Sequence, residues 1–209
     1  MPPARPRIPA RRRARSRPPR PVLAVLTASL ALVVGAWAFA AVGGEPAEAE
    51  CRSAAEDLHL EAPSSIGTIP LAGEQIGNAD AVVRTVMATG RSRWSAVLAV
   101  TTAMQESALL NLDHGDEAGP DSRGLFQQRL QFYDDVDVMD PASATAAFLE
   151  RLEAVPGWED MAPAEAIQSV QRSAHPELYA AWVEPATGWV DALWGYAESC
   201  APSSPAAAS

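Results

Sequence analysis

The sequence predicts a mainly α-helical domain, with at most a minimal β element, behind one N-terminal hydrophobic helix. Three observations predict this class. Apolar residues recur at three- and four-residue steps through most of residues 71–200, which is the period of a helix. Strand-like patterns are confined to a few residues around 125–127. Residues 22–42 form a run of 21 residues without a charge.

As a helix, the hydrophobic run at 22–42 would be about 30 Å long, enough to cross the hydrocarbon core of a bilayer. Arginines precede it and none follows it closely, which predicts that residues 1–21 are a basic cytoplasmic tail and that the remainder lies outside. The run is either an uncleaved signal-anchor or a long signal peptide cut after a site such as residues 38–40. Its length favours the anchor. Export of the rest of the chain, membrane-anchored or secreted, is expected either way.

The exported part is strongly acidic. From Glu45 onward, 8 arginines stand against 26 acidic residues, a net charge of −18, and the chain contains no lysine. Nucleic acid should be repelled, so no nucleic-acid partner is expected. The three histidines (His59, His114 and His175) are isolated, and no glycine-rich phosphate loop is present. Neither a metal site nor a cofactor is therefore expected.

Cys51 and Cys200 are the only cysteines, and they bracket the acidic region. In an exported domain a disulfide between them is the default expectation. Closing so long a loop would stabilise the fold by ~4–5 kcal/mol in the chain-entropy model. The alternatives are a lipidated Cys51 and two unrelated thiols. Acidic residues at 47–50 disfavour lipidation.

The expected organisation is a linker at 43–70 that becomes ordered near the domain, the domain itself at 71–200, and a low-complexity, disordered tail at 201–209. Within the domain the pattern predicts five helical segments, with Ser95 and Asp140 as N-caps and a possible break at Pro185. These segments span residues 71–90, 96–110, 141–155, 163–172 and 176–199.

The segment 96–110 has almost no polar face, so it should be buried at the centre of the domain. Its last turn contains Glu106, whose helix neighbours Ala99, Thr102 and Ala103 cannot pair with a charge. Burial and the negative end of the helix dipole should both raise the pKa of this carboxyl. A carboxylic acid that stays protonated near neutral pH suits general-acid cleavage of a glycosidic bond. Alternatively, Glu106 points into solvent where the helix ends.

Glu106-Ser107 is followed by a Gly/Asp loop and then by Gly124-Leu125-Phe126-Gln127. This order resembles the lysozyme-like superfamily, specifically the soluble lytic transglycosylase type, with Phe126 in place of a methionine. A group of exported actinobacterial lysozyme-like domains is more closely similar, and the resemblance covers about residues 71–195. The stretches that carry it are Gln105–Ser107, Asn111–Asp113, Gly115-Asp116, Asp121-Ser122, Gly124–Arg129, Asp140-Pro141, Val155–Trp158, Val170–Ala174, Pro176, Tyr179-Ala180 and Trp182.

The resemblance implies a lysozyme-like, transglycosylase-type fold and peptidoglycan as the substrate. Glu106 would protonate the oxygen between N-acetylmuramic acid and N-acetylglucosamine. In transglycosylases the same carboxylate then acts as the base that closes a 1,6-anhydro ring, whereas a hydrolytic lysozyme uses water, usually with a second carboxylate. Asp113, Asp116 and Asp121 are the candidates for that second role. Three acids in a polar loop are also typical of a solvated turn.

Six further positions are candidates for substrate binding: Ser107, Gln127, Gln128, Gln171, Ser173 and Tyr179. Gln127 and Gln128 would bond sugar N-acetyl or hydroxyl groups, although Gln127 can equally satisfy its own loop. The stretch 171–174 would stand where the family has Asn-Ala-Gly on the cleft floor. Tyr179 would orient the catalytic carboxylate, or else be a half-buried helix aromatic.

The sequence departs from the family at residues 130–137, which are acidic and lack the usual Gly-Trp-Gly-like stretch, and at Arg123, where an apolar residue is usual. These departures favour an alternative function, a membrane-anchored module that binds peptidoglycan or a partner protein without turnover. The retained Glu106 favours the enzyme. In both interpretations residues 22–42 would hold the domain at the membrane, or release it to the cell wall if they are cleaved.

Overall fold

The computed structural model describes residues 55–65 and 67–200, and this part of the chain is mainly helical, as predicted. The predicted tail at 1–21, hydrophobic run at 22–42, linker residues 43–54 and tail at 201–209 lie outside the described residues. In the described part no helix is both long and apolar enough to cross a membrane. Its helices are α1 (Gly73–Ala88), α2 (Arg93–Ser107), α3 (Pro141–Glu153), α4 (Pro163–Gln171) and α5 (Ala180–Cys200).

Helix α2 lies at the centre of the domain, as its apolar sequence predicted. Eleven of its 15 residues are buried, and it contacts each of the other four helices. Its many alanines let those neighbours approach closely, and its larger aliphatic side chains each contribute about 1.5–3 kcal/mol when they leave water. The position of α2 determines where Glu106, in its last turn, can lie.

Both predicted ends of α2 are wrong by three residues. The N-cap is Ser92 rather than Ser95, because the Ser92 side chain accepts a hydrogen bond from the Ser95 backbone N–H at 3.2 Å. The helix stops at Ser107 because Ala108 and Leu109 adopt positive φ angles of 53° and 60°. By contrast, the predicted Asp140 cap of α3 is confirmed by its hydrogen bond from the Ser143 N–H at 2.8 Å.

Two short antiparallel hairpins complete the described fold. Strands β1 (Glu61–Ser64) and β2 (Gly67–Pro70) pair inside the segment predicted as a linker. The Trp189 indole donates to the Glu61 carbonyl at 2.9 Å, which ties this hairpin to α5. The sequence predicted that residues 43–70 become ordered near the domain, and this contact gives a physical reason for order at 61–70.

The second hairpin joins β3 (Ser122–Arg123) to β4 (Gln128–Arg129). Residues 125–127, predicted to be a strand, instead lie in the turn between them. That turn is buried rather than exposed, since the ring of Phe126 stacks on the ring of Phe148 of α3 with centroids 5.1 Å apart. The apolar character that suggested a strand thus comes from packing of a turn against the core.

Helix α5 follows a 3₁₀ turn at Pro176–Tyr179 and is not broken at Pro185. Proline removes one backbone N–H, which leaves the Ala181 carbonyl without its helical partner. Ala181 is exposed, so water can satisfy that carbonyl. At the far end of α5, Cys200 is disulfide-bonded, while Cys51, the other cysteine of the sequence, lies outside the described residues.

Candidate active site

Glu106 lines a cleft of about 980 Å³. One wall is the loop from Leu112 to Ser122, and the other combines the end of α4 with residues 127–133. The volume lies at the upper end of the range for small-molecule sites. A carboxyl group therefore faces a space large enough for a chain of linked rings.

The Glu106 carboxyl accepts a hydrogen bond from a buried tyrosine. The Tyr179 hydroxyl donates to Glu106 Oε1 at 2.5 Å, and Tyr179 itself is fully buried. This is the contact that the sequence suggested for Tyr179. Among the described residues, no basic side chain forms an ion pair with Glu106.

The pKa of Glu106 is raised above its ordinary value, and burial is the largest cause. Hydrogen bonds from Tyr179 and Gln171 act in the opposite direction, and the nearby charge of Asp116 adds to the rise. Burial also raises the pKa of Tyr179, with the Glu106 charge as the next cause, so Tyr179 remains a phenol and a hydrogen-bond donor. Desolvation was one of the two causes expected from the sequence, and the helix dipole was the other.

Removal of the tyrosine hydroxyl should change the pH dependence of the site. In Tyr179→Phe the hydrogen bond that lowers the pKa of Glu106 is lost, so that pKa should rise further. If protonated Glu106 is the acid, the alkaline limb of the pH–rate profile should move to higher pH while the maximal rate falls about tenfold to a hundredfold. Initial rates on soluble peptidoglycan fragments across pH give this measurement. An unmoved alkaline limb would show that Tyr179 does not act through Glu106.

The chain turns sharply directly after Glu106. Ala108 and Leu109 both have positive φ, which non-glycine residues rarely adopt and which costs on the order of 1 kcal/mol each. Two amide side chains of α1 stabilise the turn. Gln75 donates to the Ala108 carbonyl at 2.7 Å, and Asn78 donates to the Leu109 carbonyl at 2.8 Å. The turn ends α2 one residue beyond Glu106 and directs the chain into the cleft wall.

Asn78→Ala should therefore weaken the fold at the site. It leaves the Leu109 carbonyl without its amide donor, at a cost of about 1–3 kcal/mol in the free energy of unfolding. Urea unfolding should show a lower midpoint than that of Gln131→Ala, which removes an amide side chain from an exposed position. Equal midpoints for the two variants would mean that the turn does not depend on Asn78.

Two of the predicted site residues, Gln171 and Ser173, lie at and just after the end of α4. Gln171 donates from Nε2 to the Phe126 carbonyl at 2.9 Å, and this contact ties α4 to the β3–β4 turn. Gln171 partly offsets the rise in pKa that burial causes at Glu106, and Ser173 partly offsets the rise that burial causes at Tyr179. The structure thus brings together Glu106 and three of the six residues predicted to bind substrate, from α2, α4 and the turn before α5.

The other three predicted substrate-binding side chains are used within the fold. The Ser107 hydroxyl is buried and donates to the Leu125 carbonyl at 2.8 Å. Gln128 is also buried, and its amide donates to the Ala144 carbonyl of α3 at 3.0 Å. Gln127 lines the cleft, but its amide donates to the Gly124 carbonyl of its own turn at 3.2 Å. Buried polar groups need such partners, and here they support the cleft wall.

Of the three candidate second carboxylates, Asp116 lines the cleft together with Glu106, and Asp113 and Asp121 do not. Asp116 lines the cleft, and its Oδ1 accepts from the backbone N–H groups of Ala118 and Gly119 at 2.9 and 2.8 Å. Asp121 pairs with Arg129 at 2.8 Å and does not line the cleft. Asp113 is exposed and is also absent from the lining.

Arg151 lines the cleft and was not singled out from the sequence, whereas the lining residues Phe132, Tyr133 and Arg172 fall within the stretches 130–137 and 171–174. Arg151 reaches the cleft from α3, and its guanidinium lies 3.7 Å from the centroid of the Tyr133 ring. Nothing in the local pattern of α3 distinguishes Arg151 from the other charged residues of its exposed face. Only the fold shows that this arginine belongs to the site.

The cleft presents the Glu106 carboxyl, whose pKa burial raises, together with the Tyr179 phenol, which is a hydrogen-bond donor. This pair can deliver a proton to a bound ligand and stabilise the carboxylate that results. Comparison of the chain with protein-family models and with curated protein sequences finds no match.

Proposed function

We propose that the domain is a lytic transglycosylase that cleaves the β-1,4 bond between N-acetylmuramic acid and N-acetylglucosamine in peptidoglycan. The observation that carries the proposal is the state of Glu106. Its carboxyl lines a cleft, has no basic partner among the described residues, has a pKa raised by burial, and accepts a hydrogen bond from Tyr179. The lysozyme-like resemblance of residues 71–195 supports the same assignment.

Glu106 Oε1 accepts the Tyr179 hydrogen bond, so the acidic proton resides on Oε2. That proton passes to the glycosidic oxygen as the bond from this oxygen to C1 of the muramic acid breaks. Glu106 is left as a carboxylate, which the Tyr179 hydrogen bond stabilises. It then accepts the proton of the C6 hydroxyl of the same sugar as O6 bonds to C1. The product is a 1,6-anhydro ring, and Glu106 is again protonated.

The carboxylates around the cleft favour this route over hydrolysis. Hydrolytic glycosidases usually place two carboxylates on either side of the bond. Asp116, the other acidic residue that lines the cleft, uses Oδ1 to hold two backbone N–H groups of its own loop. A single carboxyl acting in turn as acid and base suits the intramolecular attack of a 6-hydroxyl.

The proposed location follows from the sequence. Residues 22–42, which lie outside the described residues, would anchor the domain at the outer face of the cytoplasmic membrane. An anchored enzyme stays at high effective concentration near a wall in front of that membrane. This matters because the chain from Glu45 onward has a net charge of −18, and the anionic polymers of a bacterial wall would otherwise repel it.

The products of digestion test the proposal. The purified protein is incubated with peptidoglycan sacculi, and the soluble fraction is analysed by mass spectrometry. Anhydro-muropeptides are the expected products, and muropeptides with reducing ends would instead identify a hydrolytic muramidase. Binding to the sacculi without release of product would support the non-enzymatic module, which the departure of residues 130–137 from the family pattern favours.

A further inference from the structure

Arginine pairing in the domain is uneven. Residues 55–200 contain 23 acidic residues and 7 arginines, so a carboxylate partner is available for every arginine. Four of these arginines form ion pairs among the described residues: Arg84–Asp80, Arg91–Glu153, Arg93–Asp191 and Arg129–Asp121. The three arginines without an ion pair there are Arg123, Arg151 and Arg172, and two of them, Arg151 and Arg172, line the cleft.

Arg151 is held in place without losing its charge. Its guanidinium lies over the ring of Tyr133, and its Nη2 donates to the Phe132 carbonyl at 2.5 Å. An aromatic face and a carbonyl orient a guanidinium but do not neutralise it. The remaining N–H groups keep the fork geometry that binds carboxylates bidentately, and less conformational entropy is lost when a ligand binds.

Arg172, like Arg151, lines the cleft and forms no ion pair among the described residues. It directly follows Gln171 and caps α4 with a positive φ of 55°, a conformation that costs a non-glycine residue on the order of 1 kcal/mol. A cation near a helix C-terminus is favourable in itself, which accounts for part of this placement. The residue is exposed and lines the cleft, which brings a positive charge to this side of the site.

An exposed aromatic ring accompanies the two charges. Phe132, whose carbonyl binds Arg151, is 59% exposed and lines the cleft. Ligand-binding clefts are typically lined by aromatic side chains together with a few polar or charged groups. The ring offers an apolar face to one side of a sugar, and the neighbouring Arg151 offers hydrogen-bond donors to an acidic group attached to that sugar.

We infer that Arg151 and Arg172 recognise the carboxylates of peptide stems attached to the glycan strand, with Phe132 packing on a sugar ring beside them. This inference rests on the proposed function and names the form of peptidoglycan that the cleft prefers. Guanidinium groups bind carboxylates and phosphates alike. The carboxylate is favoured because a polymer with a phosphate on every unit would meet the negative field of the domain along its length, whereas short stems bring their charge only to the cleft.

The test measures binding without turnover. Glu106→Gln in the full chain provides the background, and dissociation constants are measured for three soluble glycans: strands with peptide stems, strands stripped by an amidase, and stripped strands that carry phosphate polymer. Strands with stems should bind about tenfold more tightly than stripped strands at low salt, a preference that added salt weakens. Arg151→Gln combined with Arg172→Gln should bring this ratio close to one.

Arg93→Gln is the matched control. It removes the same charge from an exposed ion pair at the first residue of α2, about 20 Å along the helix from Glu106, and should leave the ratio unchanged. Because Arg151 also packs on Tyr133, Arg172→Gln alone, at an exposed position, is measured as well. It should reduce the ratio by about threefold.

Equal binding of strands with and without stems, or a preference that survives the double substitution, would overturn the inference. Tighter binding of the phosphate-bearing strands would overturn the assignment to carboxylates. Neither result would contradict the proposed function, because that function is tested separately by the release of anhydro products from the parent protein. Conversely, a stem preference in a protein that releases no product would overturn the proposed function alone.

Discussion

Glu106→Gln is expected to abolish the release of soluble muropeptides, with kcat lowered by at least about a thousandfold. The glutamine keeps the shape of the side chain and can still accept the Tyr179 hydrogen bond, but it has no proton to give to the glycosidic oxygen. Binding to peptidoglycan should persist. The rate of product release, measured together with pelleting on sacculi, separates these two effects.

Glu117→Gln is the control. Glu117 is an exposed glutamate in the loop 112–122, and it is not one of the residues that line the cleft. It should digest sacculi at the parental rate. Glu106→Gln with unchanged product release would remove Glu106 from the mechanism and, with it, the proposed function. Circular dichroism of both variants ensures that a lost rate does not reflect a lost fold.

The same substitution should stabilise the fold at neutral pH. Burial raises the pKa of Glu106 above its unfolded value, so the folded chain holds this proton more tightly than the unfolded chain does. That contribution to stability is fully present at pH values below the unfolded pKa and is lost as pH rises through the raised, folded-state pKa. Glutamine does not ionise, so the Glu106→Gln variant does not lose stability in this way as the pH rises. Its urea midpoint should exceed that of the parent at pH 7, and the difference should shrink towards pH 4.

Gly124→Ala should cause a loss of stability of about 3 kcal/mol or more. Gly124 has a φ of 74°, and a Cβ atom placed there would lie 2.0 Å from the Val138 carbonyl oxygen. The backbone of the β3–β4 turn would have to move, and its hydrogen bond from the Gly124 N–H to the Leu112 carbonyl would be strained. The β3–β4 turn and the loop that begins at Leu112 both border the cleft, so activity should fall together with the free energy of unfolding.

Gly157→Ala is the matched control for this prediction. Gly157 has nearly the same φ, 75°, but no atom lies within 4 Å of an added Cβ. Its substitution should cost only the conformational strain, about 1 kcal/mol. Equal unfolding midpoints for the two variants would mean that Gly124 is not in tight contact with Val138.

The sequence pattern predicted those features of the site that depend on one short stretch of the chain. The burial of α2 and the position of Glu106 in its last turn followed from one continuous apolar run, so they were predicted. The cap of α2 was misplaced because Ser92 and Ser95 are equally able caps, and the choice depends on the geometry of the turn. Ser107 was taken for a cleft residue because nothing local shows that the Leu125 carbonyl lies opposite its hydroxyl.

The supporting contacts of Asn78 and Gln171 could not be predicted from the local pattern, because they join elements far apart in the chain. The Tyr179–Glu106 contact, which is also long-range, was suggested only by the family resemblance. Asn78 holds a carbonyl 31 residues away, and Gln171 holds one 45 residues away. Neither amide differs, in its own helix, from an ordinary solvated side chain. Arg151 shows the same limit, since its place in the cleft follows from how α3 packs beside residues 132–133.

The pKa of the Glu106 carboxyl is the most direct test of the account. Carbon-detected NMR of the glutamate side chains across pH measures it, and the resonance that disappears in Glu106→Gln assigns it. We expect this carboxyl to titrate clearly above the ordinary glutamate value, and to titrate higher still in Tyr179→Phe. Titration at or below the ordinary value would contradict the account, because Glu106 would then carry no proton to give at the pH of the cell wall.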